Sequence, residues 1–307
     1  MGSRVLRVKT ALFLFSVAQF VGAIVQGFMV MKTLGKGIVS DITIYEAVSV
    51  TIAAIIWITL ATFKGLPIST THSAVSAVIG IAFARIIQGY SASISSDLIL
   101  KIVVSWVISP LAAMSLAIPL YCLFKKILAK TETEIVRLMV IAIMIFSAYS
   151  FGANDVGNAT GIYTTITSKY MGLPDEYSMR LLAAFASLFI TLGALSIGPR
   201  VVETLAFKIT RLDLDMALAA GMANALVVWM FTTVPYILFG YGLPISTTYA
   251  AVGSIIGVGI AKYRSFAGVS FKTVIFIMTA WLLTLPLSAL ASTAIYFLIS
   301  RFAGGAL

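Results

Sequence analysis

Charge is what this sequence has least of. Only 10% of its 307 residues are Asp, Glu, Lys or Arg, against 60% hydrophobic. Soluble domains carry about 25% charged residues, and the mean hydropathy here is +1.06, so a water-soluble globular fold is excluded. Cysteine and histidine are nearly missing. The single Cys122 lies in an apolar run, which excludes a disulfide framework and a thiolate metal site. His72 is the one histidine, which argues against a histidine-based metal site. Alternation at period two is absent, which disfavours an outer-membrane barrel. No nucleophile–base arrangement stands out, so an enzyme is the least favoured class and no cofactor is expected.

What the chain has is apolar length. Runs cover about 10–31, 42–63, 67–88, 98–124, 137–166, 179–198, 214–241, 244–261 and 273–300. Each is near the roughly 20 residues that a spanning helix needs. The expectation is an all-α polytopic protein with about nine membrane segments, multi-pass in the plasma membrane, with the lipid bilayer as its surroundings. The net charge of +10 sits in short loops, where it sets orientation, so nucleic acid is not an expected partner. The run from Thr10 to Met31 reads as a retained helix rather than a cleaved leader. A homo-oligomer stays open.

The chain repeats itself. Gly22-Ala23, Gly27, Val30, Thr33-Leu34 and Ile38 recur as Gly193-Ala194, Gly198, Val201, Thr204-Leu205 and Ile209, at a shift of 171. Gly65-Leu66-Pro67-Ile68-Ser69-Thr70-Thr71 recurs unchanged from Gly242 to Thr248, at a shift of 177. Trp57 pairs with Trp229. A charged connection from Lys125 to Arg137 separates the copies, giving a first repeat at 1–128, a linker at 129–136 and a second repeat at 137–307. If all nine runs cross, one side collects two-thirds of the 21 lysines and arginines. That places the linker in the cytoplasm and makes the halves antiparallel, as inverted-topology repeats require.

Two motifs could carry chemistry. Gly152-Ala153-Asn154-Asp155-Val156-Gly157-Asn158-Ala159 sets a carboxylate and two amides at bilayer depth, where ionisable groups usually line a substrate or ion path. Its glycines are expected to weaken the helix locally and free carbonyls beside the side-chain oxygens. Asp155, Asn154 and Asn158 are therefore the candidate cation or proton site, with sodium at Asp155 as one form of it. Pro67-Ile68-Ser69-Thr70-Thr71 and Pro244-Ile245-Ser246-Thr247-Thr248 each break a helix and start another. Such starts offer N–H groups and hydroxyls to an anion without any basic residue. His72 and Tyr249 follow the two copies. Gln19 is a weaker candidate, Glu46 reads as interfacial, and the tryptophans read as lipid-facing or helix-packing residues.

The octapeptide at 152–159 resembles the signature of the inorganic phosphate transporter (Pit-type) family, which usually has Ala where Gly157 stands. The paired Pro-Ile-Ser-Thr-Thr segments with His72 are similar to that family's other hallmark, and the likeness runs along essentially the whole chain. The resemblance implies alternating-access symport of inorganic phosphate with sodium or protons. It also implies that Ser69, Thr70, Thr71, Ser246, Thr247, Thr248, Asn154 and Asn158 surround the substrate, with Asp155 beside the coupling cation. A sulfate or other oxyanion permease is the alternative within transport; a non-transporting remnant or regulatory membrane subunit is the alternative outside it. Two departures stand out. Gln19 occupies a position where the family commonly has Glu. The mate of Asp155 would fall before Met1, and Gly2-Ser3-Arg4-Val5-Leu6 resembles the stretch following a first acidic motif, so Met1 is expected to be a misplaced start.

Overall fold

The computed structural model describes residues 8–34, 37–172 and 174–302. The opening residues Met1 to Arg7, on which the expected misplaced start rests, lie outside the described residues. Helices dominate: α1 (Val8–Leu34), α2 (Ile44–Phe63), α3 (Thr70–Ile87), α4 (Ser96–Leu128), α5 (Thr133–Met171), α6 (Glu176–Ser196), α7 (Pro199–Glu203), α8 (Leu214–Phe239), α9 (Thr247–Tyr263) and α10 (Phe271–Phe302). Among the described residues the only β pairing is an isolated antiparallel bridge between Val39 and Ile94. Among the described residues, eight helices are long and apolar enough to cross a membrane. The remaining apolar run, 244–261, forms α9, which has only 17 residues because its start is consumed by the break at Pro244.

Polar side chains define the helix starts. Thr43 and Glu46 form a reciprocal capping box on α2. Ser69 caps α3, and Ser246 caps α9. Glu46, in the first turn of α2, is buried, and Arg85 near the end of α3 donates to it at 2.6 and 2.7 Å. That pair pins α2 to α3 as a hairpin. A buried pair of this kind fixes geometry more than it adds stability.

The repeats exchange helices. α10 packs against the α2–α3 hairpin, and α4 packs against the α8–α9 hairpin. α5 lies along α1 and also touches α8. Neither half is therefore a separate core, and the largest buried cluster joins residues of both.

α5 corrects one expectation. Gly152 and Gly157 do not break it, and the helix runs unbroken through the acidic motif from Thr133 to Met171. The glycines serve packing instead. A Cβ on Gly152 would strike the Gln19 carbonyl, and one on Gly157 would come within 2.7 Å of the Val30 side chain. Helices built from small residues approach closely and gain dispersion contact in a medium that gives no hydrophobic drive. The break falls elsewhere. α6, the repeat mate of α1, ends at Ser196 and continues through the short α7 into a π-helical turn at Thr204–Lys208.

Candidate functional site

The two broken hairpins meet head to head. At the first, Ser69 has extended backbone (φ −85°) and its Oγ accepts from the His72 N–H at 3.2 Å. At the second, Ser246 does the same (φ −86°) for the Tyr249 N–H, also at 3.2 Å. The next residues cross over. Thr71 Oγ1 donates to the Ile245 carbonyl at 3.0 Å, and Thr248 Oγ1 donates to the Ile68 carbonyl at 3.1 Å. Each helix start thus closes the loop of the other repeat, which is the signature of a local two-fold axis. The first N–H groups of α3 and α9, at Thr70 and Thr247, lie outside their intrahelical ladders and carry the positive ends of two helix dipoles.

α5 runs past both starts and touches each with a different residue. Thr247 Oγ1 donates to Asp155 at 3.0 Å from Oδ2 and 3.3 Å from Oδ1. Asn158 Nδ2 donates to Thr70 Oγ1 at 3.1 Å and lies 3.4 Å from Asp155 Oδ1. One carboxylate and one amide therefore connect the second helix start to the first. Asn158 Oδ1 is buried without a protein partner. An amide oxygen only accepts or coordinates, so this atom is suited to a cation or a protonated ligand. Asp155, Asn158 and Thr70 also line a cavity of about 690 Å³ between α2, α3, α5 and α6.

Asn154 occupies a different place from its neighbours. It is fully buried, and both ends of its amide are committed. Nδ2 donates to Thr232 Oγ1 at 2.9 Å and to the Leu243 carbonyl at 3.1 Å. Oδ1 accepts from the Ile245 N–H at 3.3 Å. Those bonds brace the non-helical backbone of the second break, a segment tolerated at bilayer depth only when protein satisfies it. All nine sequence-nominated residues thus converge on one region, Asn154 as the brace of the loop rather than on its open side.

Sequence reasoning missed an aromatic column behind the hairpins. Trp106, His72, Tyr249 and Trp281 stack in that order, with ring centroids 3.4, 4.6 and 3.6 Å apart. Tyr249 Oη and His72 Nε2 are 3.0 Å apart at its centre. Trp281 Nε1 donates to the Pro67 carbonyl at 2.7 Å, while Ser105 of α4 donates to that of Pro244 at 3.2 Å. The two helices that change partners therefore also hold the two prolines. The sequence signal was the paired ring after each Ser-Thr-Thr. Gln19 faces α5 with its Oε1 buried and unpartnered. Among the described residues no group of three His, Cys, Asp or Glu is placed to hold a metal ion.

Known proteins resemble this chain in sequence and in fold. The model of the phosphate transporter family matches residues 1–137 and 128–292. The chain belongs to the phosphate transporter family. This family member is 30% identical to a protein of Methanocaldococcus jannaschii named as a phosphate permease, over 97% of this chain and 87% of that one. It is 29% identical to a Bacillus subtilis protein described as a low-affinity inorganic phosphate transporter, over 97% and 88% of the two chains. A solved structure, "The sodium-dependent phosphate transporter", superposes with a TM-score of 0.77 at 24% identity, covering 98% of this chain and 92% of the other. That likeness establishes the fold. As a member of the phosphate transporter family the chain is a multi-pass integral membrane protein of a transporter class, not an enzyme.

Proposed function

We propose that this chain carries inorganic phosphate across the membrane by alternating access, in symport with sodium or protons. One observation carries the reading: Asp155 and Asn158 tie both Ser-Thr-Thr helix starts to a single carboxylate at the edge of a cavity. Phosphate sits between the two starts, held by N–H groups and by the hydroxyl of Thr70. Thr247, which donates to Asp155 in this structure, turns its proton to the anion once a cation takes the carboxylate. Thr71 and Thr248 shape that seat, since their donors are spent across the repeats, while Ser69 and Ser246 accept in their helix caps and keep an O–H to offer. The cation sits at Asp155 with the free Asn158 oxygen. Carboxylate and amide oxygens suit a hard cation, and half-helix N-termini suit an anion. Each ligand offsets the charge of the other, so closure around both is favoured over closure around one. The names borne by the relatives agree with phosphate as the substrate.

The test is uptake of labelled phosphate into proteoliposomes under an imposed sodium or proton gradient, with sulfate as competitor. Accumulation driven by one gradient and resistant to sulfate is expected. Equal competition by sulfate, or equilibration without accumulation, would overturn the substrate or the coupling respectively.

A further inference from the structure

The aromatic column behind the hairpins is interleaved. α10 covers α2 and α3, while α4 covers α8 and α9, so these six helices form two packed units. Along the column, Trp106 belongs to the second unit, His72 to the first, Tyr249 to the second and Trp281 to the first. Flat rings inserted alternately from two bodies hold those bodies in register.

One polar bond joins ring to ring, that between Tyr249 Oη and His72 Nε2 at 3.0 Å. It is an unusual choice for packing. Both residues are buried, His72 at 3% and Tyr249 at 8% exposure. The other ring nitrogen of His72, Nδ1, is buried without a partner. An orphaned polar atom costs stability, and a phenylalanine would stack without orphaning anything. What the imidazole and the phenol add over two phenyl rings is the bond between them.

Its position says what that bond can do. His72 and Tyr249 are each the third residue of their helix, directly behind Thr70-Thr71 and Thr247-Thr248. Their own N–H groups are the ones capped by Ser69 and Ser246. The crossed bonds of Thr71 and Thr248 tie each start to the facing loop. The ring pair instead joins helix to helix across the local axis, which fixes how far apart the two N-termini stand. Hydrogen bonds weaken steeply as their angle departs from the optimum, and a seat held in shape before binding loses less affinity to ordering.

We propose that His72 and Tyr249 are positioning residues of the anion seat, their bond setting the separation of the α3 and α9 starts at which an oxyanion is held from both sides. The pair acts through the two helix backbones and not by contact with the anion. The inference rests on the anion seat proposed above and names what sets its width.

The test compares four chains in detergent with sodium present: the unsubstituted chain, Tyr249→Phe, the double variant His72→Phe with Tyr249→Phe, and the exchange His72→Tyr with Tyr249→His. Titration calorimetry gives the phosphate affinity of each, and thermal unfolding gives the midpoint without anion. Tyr249→Phe should weaken phosphate binding about three- to ten-fold, on the order of one net hydrogen bond. The double variant keeps four stacked rings and removes the imidazole nitrogens. Its midpoint should match or exceed that of the unsubstituted chain, while its affinity stays as low as that of Tyr249→Phe. The exchange rebuilds the bond with its partners swapped across the axis, so it should recover most of the affinity. Affinity that merely follows the midpoint through the series, or a double variant that binds phosphate as the unsubstituted chain does, would show that the pair only packs and would overturn the proposal. An unsubstituted chain that binds sulfate and not phosphate would end the phosphate reading, and the same comparison made with sulfate would then decide the spacing role. Binding of neither anion would overturn both.

Discussion

Thr71 and Thr248 each complete the other's loop: the first donates to the carbonyl before Ser246, the second to the carbonyl before Ser69. Neither helix start is finished by its own repeat. The proposed anion seat is consequently a joint product of both halves, and the proposed rocking of one half against the other would bend or break this pair of bonds.

Thr71→Val and Thr248→Val keep the shape and remove the donor. Each leaves a carbonyl without its side-chain donor, costing about 1–3 kcal/mol. Because both bonds close one structure, the double variant should lose less than the sum of the single losses. Thermal unfolding in detergent measures this, with phosphate uptake alongside. Strict additivity together with unchanged uptake would show that the two bonds are independent ornaments of the loops.

Asp155→Asn removes a charge and little volume. Thr247 can still donate to the amide oxygen, so insertion and folding should be preserved. Gradient-driven phosphate accumulation should disappear. A variant that accumulates phosphate normally would remove Asp155 from the cation site.

Asn154 and Asn158 should separate stability from transport. Asn154→Ala orphans the buried Ile245 N–H and Leu243 carbonyl, at roughly 1–3 kcal/mol for each group. Its main effect should be a lower thermal midpoint. Asn158→Ala disturbs a half-exposed contact to Thr70, so uptake should fall while the midpoint moves little. The reverse pattern would exchange the roles given to the two amides.

Gly152→Ala sets two effects against each other. Alanine favours a helix interior by about 1 kcal/mol over glycine. The new methyl would meet the Gln19 carbonyl, and overpacking costs typically 1–3 kcal/mol or more. Backbone atoms cannot swing aside, so the clash should win and α1 should loosen from α5. Gly193→Ala, with open space around it, should be neutral or slightly stabilising in the same unfolding assay. Equal behaviour of the two variants would mean that helix propensity alone decides.

Much of the site was legible in the sequence because its parts are local. Ser69 and Ser246 cap the helices that follow them, and a cap is determined by adjacent residues. Asp155 announced itself through the cost of a carboxylate in an apolar run. The repeat shifts foretold the pairing of Thr71 with Thr248 in kind, though not the crossing of their bonds. What was hidden depends on partners about 80 to 180 residues away. The role of Asn154 needs Thr232 and Leu243, and the aromatic column needs α4 and α10 to exchange hairpins. The continuity of α5 was misjudged for the same reason: its glycines looked like weak points until α1 was seen packed on them.

The exchange of α4 and α10 also bears on how the molecule is made. The α2–α3 hairpin leaves the ribosome well before α10, the helix that covers it. α3 ends at Ile87 and α10 begins at Phe271, which at about 5–20 residues per second is a delay of roughly 10–40 s. Throughout that interval the Pro67 carbonyl has no Trp281 to bond. The hairpin stays uncovered until α10 is made, so α10 acts as the latch on the first half.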